Sequence, residues 1–240
     1  MDLSSDSLSD LLRVLDLTGV FANAILGGVI ARSARLDPVG FAILAIMSGL
    51  GGGMIRDVLL QNGPPVALTD YWYVLTAVAG ATIVLLLPVG GRVWDGLWPW
   101  LDAIALGCWA AAGAQKTLDL GLGWLPAVML GTITAVGGGF TRDVVLQRIP
   151  GILGGNTLYA TCALLGSGVL VIFYRSGYPV LGSFAAILVG GGLMLIARWR
   201  NWVLPPGDEW VALAAVRRRY VRSRRLRNRS GRNGDDNNEG

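Results

Sequence analysis

The sequence predicts an all-α integral membrane protein of seven transmembrane helices, arranged as two inverted three-helix repeats plus a seventh helix. Three observations lead there: long apolar runs free of charge, a self-similarity at a spacing of 86 residues, and an odd number of spans in each copy. Hydrophobic residues make up 53% of the 240 residues and charged ones only 15%, so a water-soluble fold of this size would have too little polar surface to cover itself.

The charge-free runs are 38–55, 71–91, 120–141, 149–174 and 176–197. Each is near or above the roughly 18 residues that a spanning helix requires. Two further spans are placed at 14–31, which holds Asp16, and 98–117, which holds Asp102 and Lys116. The transmembrane domain then covers 1–197, with repeat 1 over about 11–91, repeat 2 over about 97–175 and helix seven over 176–197, followed by a basic tail at 198–240. The opening MDLSSDSLSD is acidic where a signal peptide carries positive charge, so the first helix is expected to direct insertion itself.

Shifting the chain by 86 residues places Asp16 on Asp102, Gly27 on Gly113, and GGGMIRDVLLQNGP (51–64) on GGGFTRDVVLQRIP (137–150) without a gap. A fixed-period match of this kind marks a duplicated structural unit. Each unit holds three spans, so the second enters the membrane from the opposite side and the repeats are inverted. Inverted repeats recur in transport proteins, with a path between the halves near the midplane.

The twin glycine triplets, Gly51, Gly52, Gly53 and Gly137, Gly138, Gly139, fall in the second and fifth spans. Each glycine costs about 1 kcal/mol of helix propensity relative to alanine, and broken backbone at membrane depth is tolerated only against protein or a water-filled cavity. The triplets are therefore expected to break these helices and line a path; the competing reading is close helix packing through small residues. For Gly190, Gly191 and Gly192, which no Arg-Asp pair follows, packing is the expectation.

Arg56, Asp57, Arg142 and Asp143 follow the triplets, and a charge at that depth requires a partner or water. Side chains adjacent on a helix do not face each other, so cross-repeat pairs are expected, Arg56 with Asp143 and Arg142 with Asp57. The alternative is that all four reach interfacial water from helix ends. Lys116, the only lysine, is a gating candidate at the end of the fourth span, where it senses voltage, repels cations at a pore mouth, or snorkels to the headgroups.

The tail carries eleven arginines against five acids. By the positive-inside rule the C-terminus is cytoplasmic, and seven spans place the N-terminus outside. Within the tail, 210–229 reads either as an amphipathic helix on anionic lipid or as a solvated end, and the last ten residues as disordered. Cys108 and Cys162 fall inside spans and read as small apolar residues. The absence of histidine lowers the prospect of a hydrolase or metalloenzyme; no enzyme activity, metal, cofactor or nucleic-acid partner is expected.

Taken together, LDLTGVFANAILGG, LDAIALGCWAAAGAQK, GGGMIRD, GGGFTRD and the LYA of Leu158 to Ala160 resemble the prokaryotic branch of the trimeric intracellular cation channel family, also described as a glycine-transporter-like domain. The resemblance covers about residues 11–197 and leaves the tail outside. It implies a homotrimer in a prokaryotic plasma membrane, with a separate pore in each protomer permeable to potassium and, less selectively, sodium. It also implies kinks at the two triplets, the Arg-Asp pairs beside the path, and gating by Lys116. Two positions depart from the family pattern: Thr157 stands where a carboxylate is expected, and Asn23 where an aromatic is usual. A monovalent cation channel is thus the leading expectation. A secondary transporter of glycine or a similar small solute is the alternative, and a scaffold without transport the third reading.

Overall fold

The structure, a computed structural model, describes residues 5–87, 92–153 and 158–203. Helices account for nearly all of it: α1 (Ser5–Ser33), α2 (Pro38–Leu60), the single turn α3 (Val66–Thr69), α4 (Tyr71–Leu86), α5 (Arg92–Asp119), α6 (Trp124–Val145), α7 (Tyr159–Arg175) and α8 (Pro179–Trp199), with a 3₁₀ turn at Gly151–Leu153. Four segments are long and apolar enough to cross a membrane: Ser9–Ser33, Pro38–Leu60, Trp124–Val145 and Pro179–Trp199. α4 and α7 are apolar but only 16 and 17 residues long, and α5 is long but carries charge. Thr157 and most of the basic tail, 204–240, lie outside the described residues.

Local chemistry sets the ends. The Asp37 carboxylate accepts a hydrogen bond from the Gly40 N–H at 2.7 Å, and Pro38, which has no N–H to leave unsatisfied, starts α2. Asp70 caps α4 in the same way through Trp72 N–H. At the C-terminal end of α4, the Arg32 guanidinium donates to the carbonyls of Val84 and Leu87, at 3.0 and 2.8 Å. Gln61 and Gln147, 86 residues apart, both take left-handed backbone just past α2 and α6, with φ of 53° and 54°. The boundaries differ from the charge-free runs because charge is not what ends a helix. α2 continues through Arg56 and Asp57 to Leu60, whereas the run beginning at 149 opens with a 3₁₀ turn at Gly151–Leu153 and has its α-helix at Tyr159–Arg175.

The exterior is apolar, with Leu75, Val78, Leu85, Phe184 and Leu188 exposed, while Asp16, Asn23, Arg56, Asp57, Gln115 and Thr134 are buried. That inversion suits lipid outside and polar groups that meet one another inside. α5 is the central element, touching α1, α6, α7 and α8. Its alanines, among them Ala103, Ala105, Ala110, Ala111 and Ala114, are buried and let four neighbours approach its backbone. α1 packs on α2 and α4, much as α5 packs on α6 and α7, and α2 meets α6 between the two groups.

The break expected at the glycine triplets is absent: α2 and α6 run through them as continuous α-helix. The triplets instead allow backbone to touch backbone where the two helices cross. A Cβ on Gly52 would collide with the Thr134 carbonyl, and one on Gly138 with the Ser48 carbonyl, two contacts related by the 86-residue shift. A Cβ on Gly137 would lie 2.9 Å from the Gly52 Cα, and one on Gly51 2.8 Å from the Thr141 hydroxyl. Close contact thus offsets the propensity cost that had pointed to a kink. Gly53 and Gly139 are different, since a Cβ there would only meet Nη2 of Arg56 or Arg142 at 3.6 or 3.7 Å, ordinary contact distance. In the Gly190–192 run, Gly190 and Gly191 pack against Leu106 and the Ala103 carbonyl, as expected of packing glycines, while Gly192 faces open space.

Substituting Gly52→Ala or Gly138→Ala should therefore cost about 1–3 kcal/mol through overpacking. Gly53→Ala should be neutral or stabilising by up to about 1 kcal/mol from helix propensity. Thermal unfolding of the purified variants in detergent separates the two; equal effects at Gly52 and Gly53 would contradict the packing role.

Candidate functional site

Two buried polar clusters hang on the α2–α6 crossing, one per repeat. In the first, Arg56 of α2 is 1% exposed and donates from Nε to Asp57 Oδ1 at 2.8 Å and from Nη2 to Asp16 Oδ2 of α1 at 3.0 Å. Tyr73 of α4 donates its hydroxyl to the same Asp16 oxygen at 3.1 Å. The Asp57 carboxylate also accepts from Lys116 Nζ of α5 at 2.8 Å and from the Val66 N–H that opens α3 at 2.9 Å. Two carboxylates and two cations balance, as burial of charge requires.

The second cluster repeats the pattern with gaps. Arg142 binds Asp143 through Nη2 at 2.8 Å and Nε at 2.9 Å, and Asp143 accepts from the Gly151 N–H at 3.2 Å. Tyr159, 86 residues after Tyr73, donates to Asp102, 86 residues after Asp16, at 3.0 Å. Among the described residues Arg142 makes no ion pair with Asp102, in contrast to Arg56 with Asp16; the ion-pair neighbour of Asp102 is Arg198 of α8, at 3.7 Å. A cavity of ≈ 200 Å³ opens here, lined by Asn23, Asp102, Gly139, Arg142, Tyr159 and Arg198 among others.

Asn23 and Trp109 occupy equivalent positions of the duplication and explain part of this difference. Trp109 is fully buried, its indole against Gly19 and Gly138, and it fills its side of the bundle. Asn23, smaller and equally enclosed, borders the open side, and its Nδ2 has no partner.

The cross-repeat pairs expected from the sequence do not form. Arginine is long enough to fold back along its own helix, so its guanidinium reaches the next residue's carboxylate even though the Cβ vectors diverge, and Asp16 of α1 supplies the second partner. Nor does Arg56 reach interfacial water from a helix end, being buried with its partners. Lys116 closes on Asp57 instead of extending to headgroups. Of the predicted residues, Gly53, Arg56, Asp57 and Lys116 gather at the first cluster and Gly139, Arg142 and Asp143 at the second, while Gly51, Gly52, Gly137 and Gly138 form the crossing between helices. Asp16, Asp102, Tyr73, Tyr159 and Arg198 were missed as site residues. The 86-residue shift already carried the signal for the first four, because it aligns each acid and each tyrosine with its counterpart. Cys108 and Cys162 are free and buried.

These features define a multi-pass helical membrane protein that encloses charge networks between its helices. The sequence model of the family described as "Glycine transporter" matches residues 13–88 and 99–175, most of the chain. A UPF0126 membrane protein of Deinococcus radiodurans is 34% identical over 210 residues, covering 85% of this chain and 95% of that protein. A UPF0126 inner membrane protein of Escherichia coli is 35% identical over 106 residues, 44% of this chain and 51% of that one. Among solved structures, the trimeric intracellular cation (TRIC) channel orthologue from Rhodobacter sphaeroides superposes with a TM-score of 0.73 at 29% identity, covering 79% of this chain and 98% of that chain. A structure described as the basis for conductance through TRIC cation channels gives the same TM-score at 30% identity, covering 81% and 96%. The chain belongs to the trimeric intracellular cation channel family.

Replacing Arg56 with glutamine would leave Asp16 and Asp57 with one cation between them, and loss of one partner from a buried ion pair costs about 3–5 kcal/mol. Arg142→Gln, at the more open cluster, should cost clearly less. Thermal unfolding of both variants in the same detergent tests this, and a milder effect at Arg56 than at Arg142 would contradict the account.

Proposed function

We propose that the chain is a monovalent cation channel, permeable to potassium and to sodium, with one path in each protomer of a homotrimer. The reading rests most on one observation: charge clusters enclosed in an apolar-coated bundle and repeated at 86 residues, with a cavity beside the second copy. The relatives solved as trimeric cation channels support it, and their trimeric state is the reason for proposing one here.

In this reading α1, α2, α4, α5, α6, α7 and α8 are the seven spans, and the two halves insert with opposite orientation. The N-terminus is outside and the arginine-rich end cytoplasmic, in a prokaryotic plasma membrane. The path follows the α2–α6 crossing, with Gly53, Arg56 and Asp57 on one side of it and Gly139, Arg142 and Asp143 on the other. The Lys116 ammonium occupies the Asp57 carboxylate and so stands where a permeant cation would bind. Withdrawing it admits the ion, and an ammonium that moves through part of the field responds to voltage, at about 2.3 kcal/mol per charge per 100 mV for a full crossing.

One observation favours a second reading as carrier of glycine or a similar zwitterion: both signs of charge, Asp102 and Asp143 with Arg142 and Arg198, line the cavity. The two readings separate in one reconstitution. Unitary potassium current steps in planar bilayers establish the channel. Saturable glycine uptake into vesicles without such steps establishes the carrier, and neither leaves a scaffold. In the channel, Lys116→Gln should raise the open fraction and flatten its voltage dependence; unchanged gating would remove Lys116 from the mechanism.

A further inference from the structure

Asp102 has the longest ion-pair contact of the four carboxylates in the two clusters. Its Oδ1 accepts from Tyr159, but Oδ2 faces the Arg198 guanidinium at 3.7 Å, beyond hydrogen-bond reach. In the first cluster the corresponding Asp16 is held by Arg56 at 3.0 Å. Arg142 does not take that part, because its Nη2 and Nε both bind Asp143. What lies around Asp102 instead is open volume, ≈ 200 Å³ of it, with the buried and unpartnered amide nitrogen of Asn23 on its wall.

The extra cation of each half also has a different origin. In the first half it is Lys116 of α5; the position 86 residues earlier is Ile30, so the duplication provides no lysine for the second half. The second half draws on Arg198, in the last turn of α8, a helix outside the duplicated unit. The Arg198 side chain is 41% exposed, while that of Asp102 is 15% exposed. An arginine at a helix end, paired loosely and partly exposed, is held less firmly than the buried Arg56.

We propose that the cavity is a binding site for one monovalent alkali cation at the Asp102 carboxylate, and that Arg198 is a tethered competitor for it. The charges support a one-for-one exchange. With Arg198 in place, Asp102, Asp143, Arg142 and Arg198 sum to zero; with Arg198 turned away the cavity carries one negative charge, which one monovalent cation neutralises. Tyr159 donates to Oδ1 and keeps that oxygen turned away, leaving Oδ2 for either cation. A divalent ion would leave the site with excess positive charge beside Arg142, so the exchange favours single charge. The inference deepens the channel reading and rests on it for its effect on current, but ion binding can be measured without current.

The test uses the full chain with Arg198→Gln, Arg198→Lys and Asp102→Asn, each compared with the unmodified protein in two measurements. In detergent, unfolding is followed while potassium chloride is raised at constant ionic strength against choline chloride, whose cation is too large for the same contact. Arg198→Gln should bind potassium roughly tenfold more tightly than the unmodified chain, as expected when a competing charge a few ångströms away is removed, and so be stabilised at lower potassium. Arg198→Lys, which keeps a cation on the tether, should lie closer to the unmodified chain. Asp102→Asn should lose the potassium-specific stabilisation. In planar bilayers, half-saturation of the potassium current should shift down in Arg198→Gln and up in Asp102→Asn. If potassium stabilises all four proteins equally, the site and its competitor are refuted whatever the current shows. If the potassium response differs as stated but no protein conducts, the binding site stands and the channel reading fails.

Discussion

Burial of the Arg56 guanidinium is the constraint around which the bundle is arranged. An isolated ion inside a low-dielectric region costs several kcal/mol, and only near-ideal partners offset it. Here the partners arrive from separate elements: Asp57 from the same helix, Asp16 from α1, Tyr73 from α4 through Asp16, and Val66 and Lys116 through Asp57. Pairing one side chain, whose Nη1 alone stays without a partner, therefore links α1, α2 and α4, places the turn α3 against the end of α2, and ties α5, the central helix, to the first half. Apolar packing alone would allow these helices to rotate against one another, since lipid tails are as apolar as leucine.

Glycine and charge act on different parts of the same problem. Gly52 and Gly138 bring the backbones of α2 and α6 into contact, which sets the Arg-Asp pairs at the heart of the molecule instead of at its edge. Gly53 and Gly139, one position further on, lie beside the guanidinium of the arginine three residues ahead, where a Cβ would make only ordinary contact. The first two glycines of each triplet thus serve the crossing, and the third marks where the crossing gives way to the charge cluster.

Much of the architecture was legible in the sequence, and the reasons for the misses are physical. The apolar runs located the long helices, and the 86-residue shift located both clusters, because a duplicated motif keeps its residues at matching depths. Single-residue features were harder. The Arg56–Asp57 bond went unseen because a rule about neighbouring Cβ atoms says little of a side chain with four rotatable bonds. The uninterrupted helices at the triplets were not foreseen because propensity counts the cost of glycine without the contact it permits, and that contact lies on another helix. Arg198 carried no signal, since it sits beyond the duplication and its partner is fixed only by how α8 folds back on α5. The Asn23–Trp109 difference was visible as a substitution between copies, but whether it opens or fills space depends on the neighbours Gly19 and Gly138.

The two clusters also differ in what it takes to free them. Lys116 projects from α5, which packs against four other helices, and its ammonium bonds a carboxylate that is already held by Arg56 and a backbone N–H. Displacing it loosens a network shared by α2, α3 and α5, and motions of packed helices belong to the microsecond-to-millisecond range. Arg198 sits in the last turn of α8 with one long-range partner at 3.7 Å, so turning it away takes side-chain rotation, which for exposed groups occurs in picoseconds to nanoseconds. On the channel reading, this assigns the slow, state-setting closure to the first half and a rapid exchange with ions to the second. A duplication that began with two equivalent clusters would then have divided one task into a gate and a binding site, with Lys116 on α5 against Ile30 on α1 and Asn23 on α1 against Trp109 on α5 as the differences that separate them.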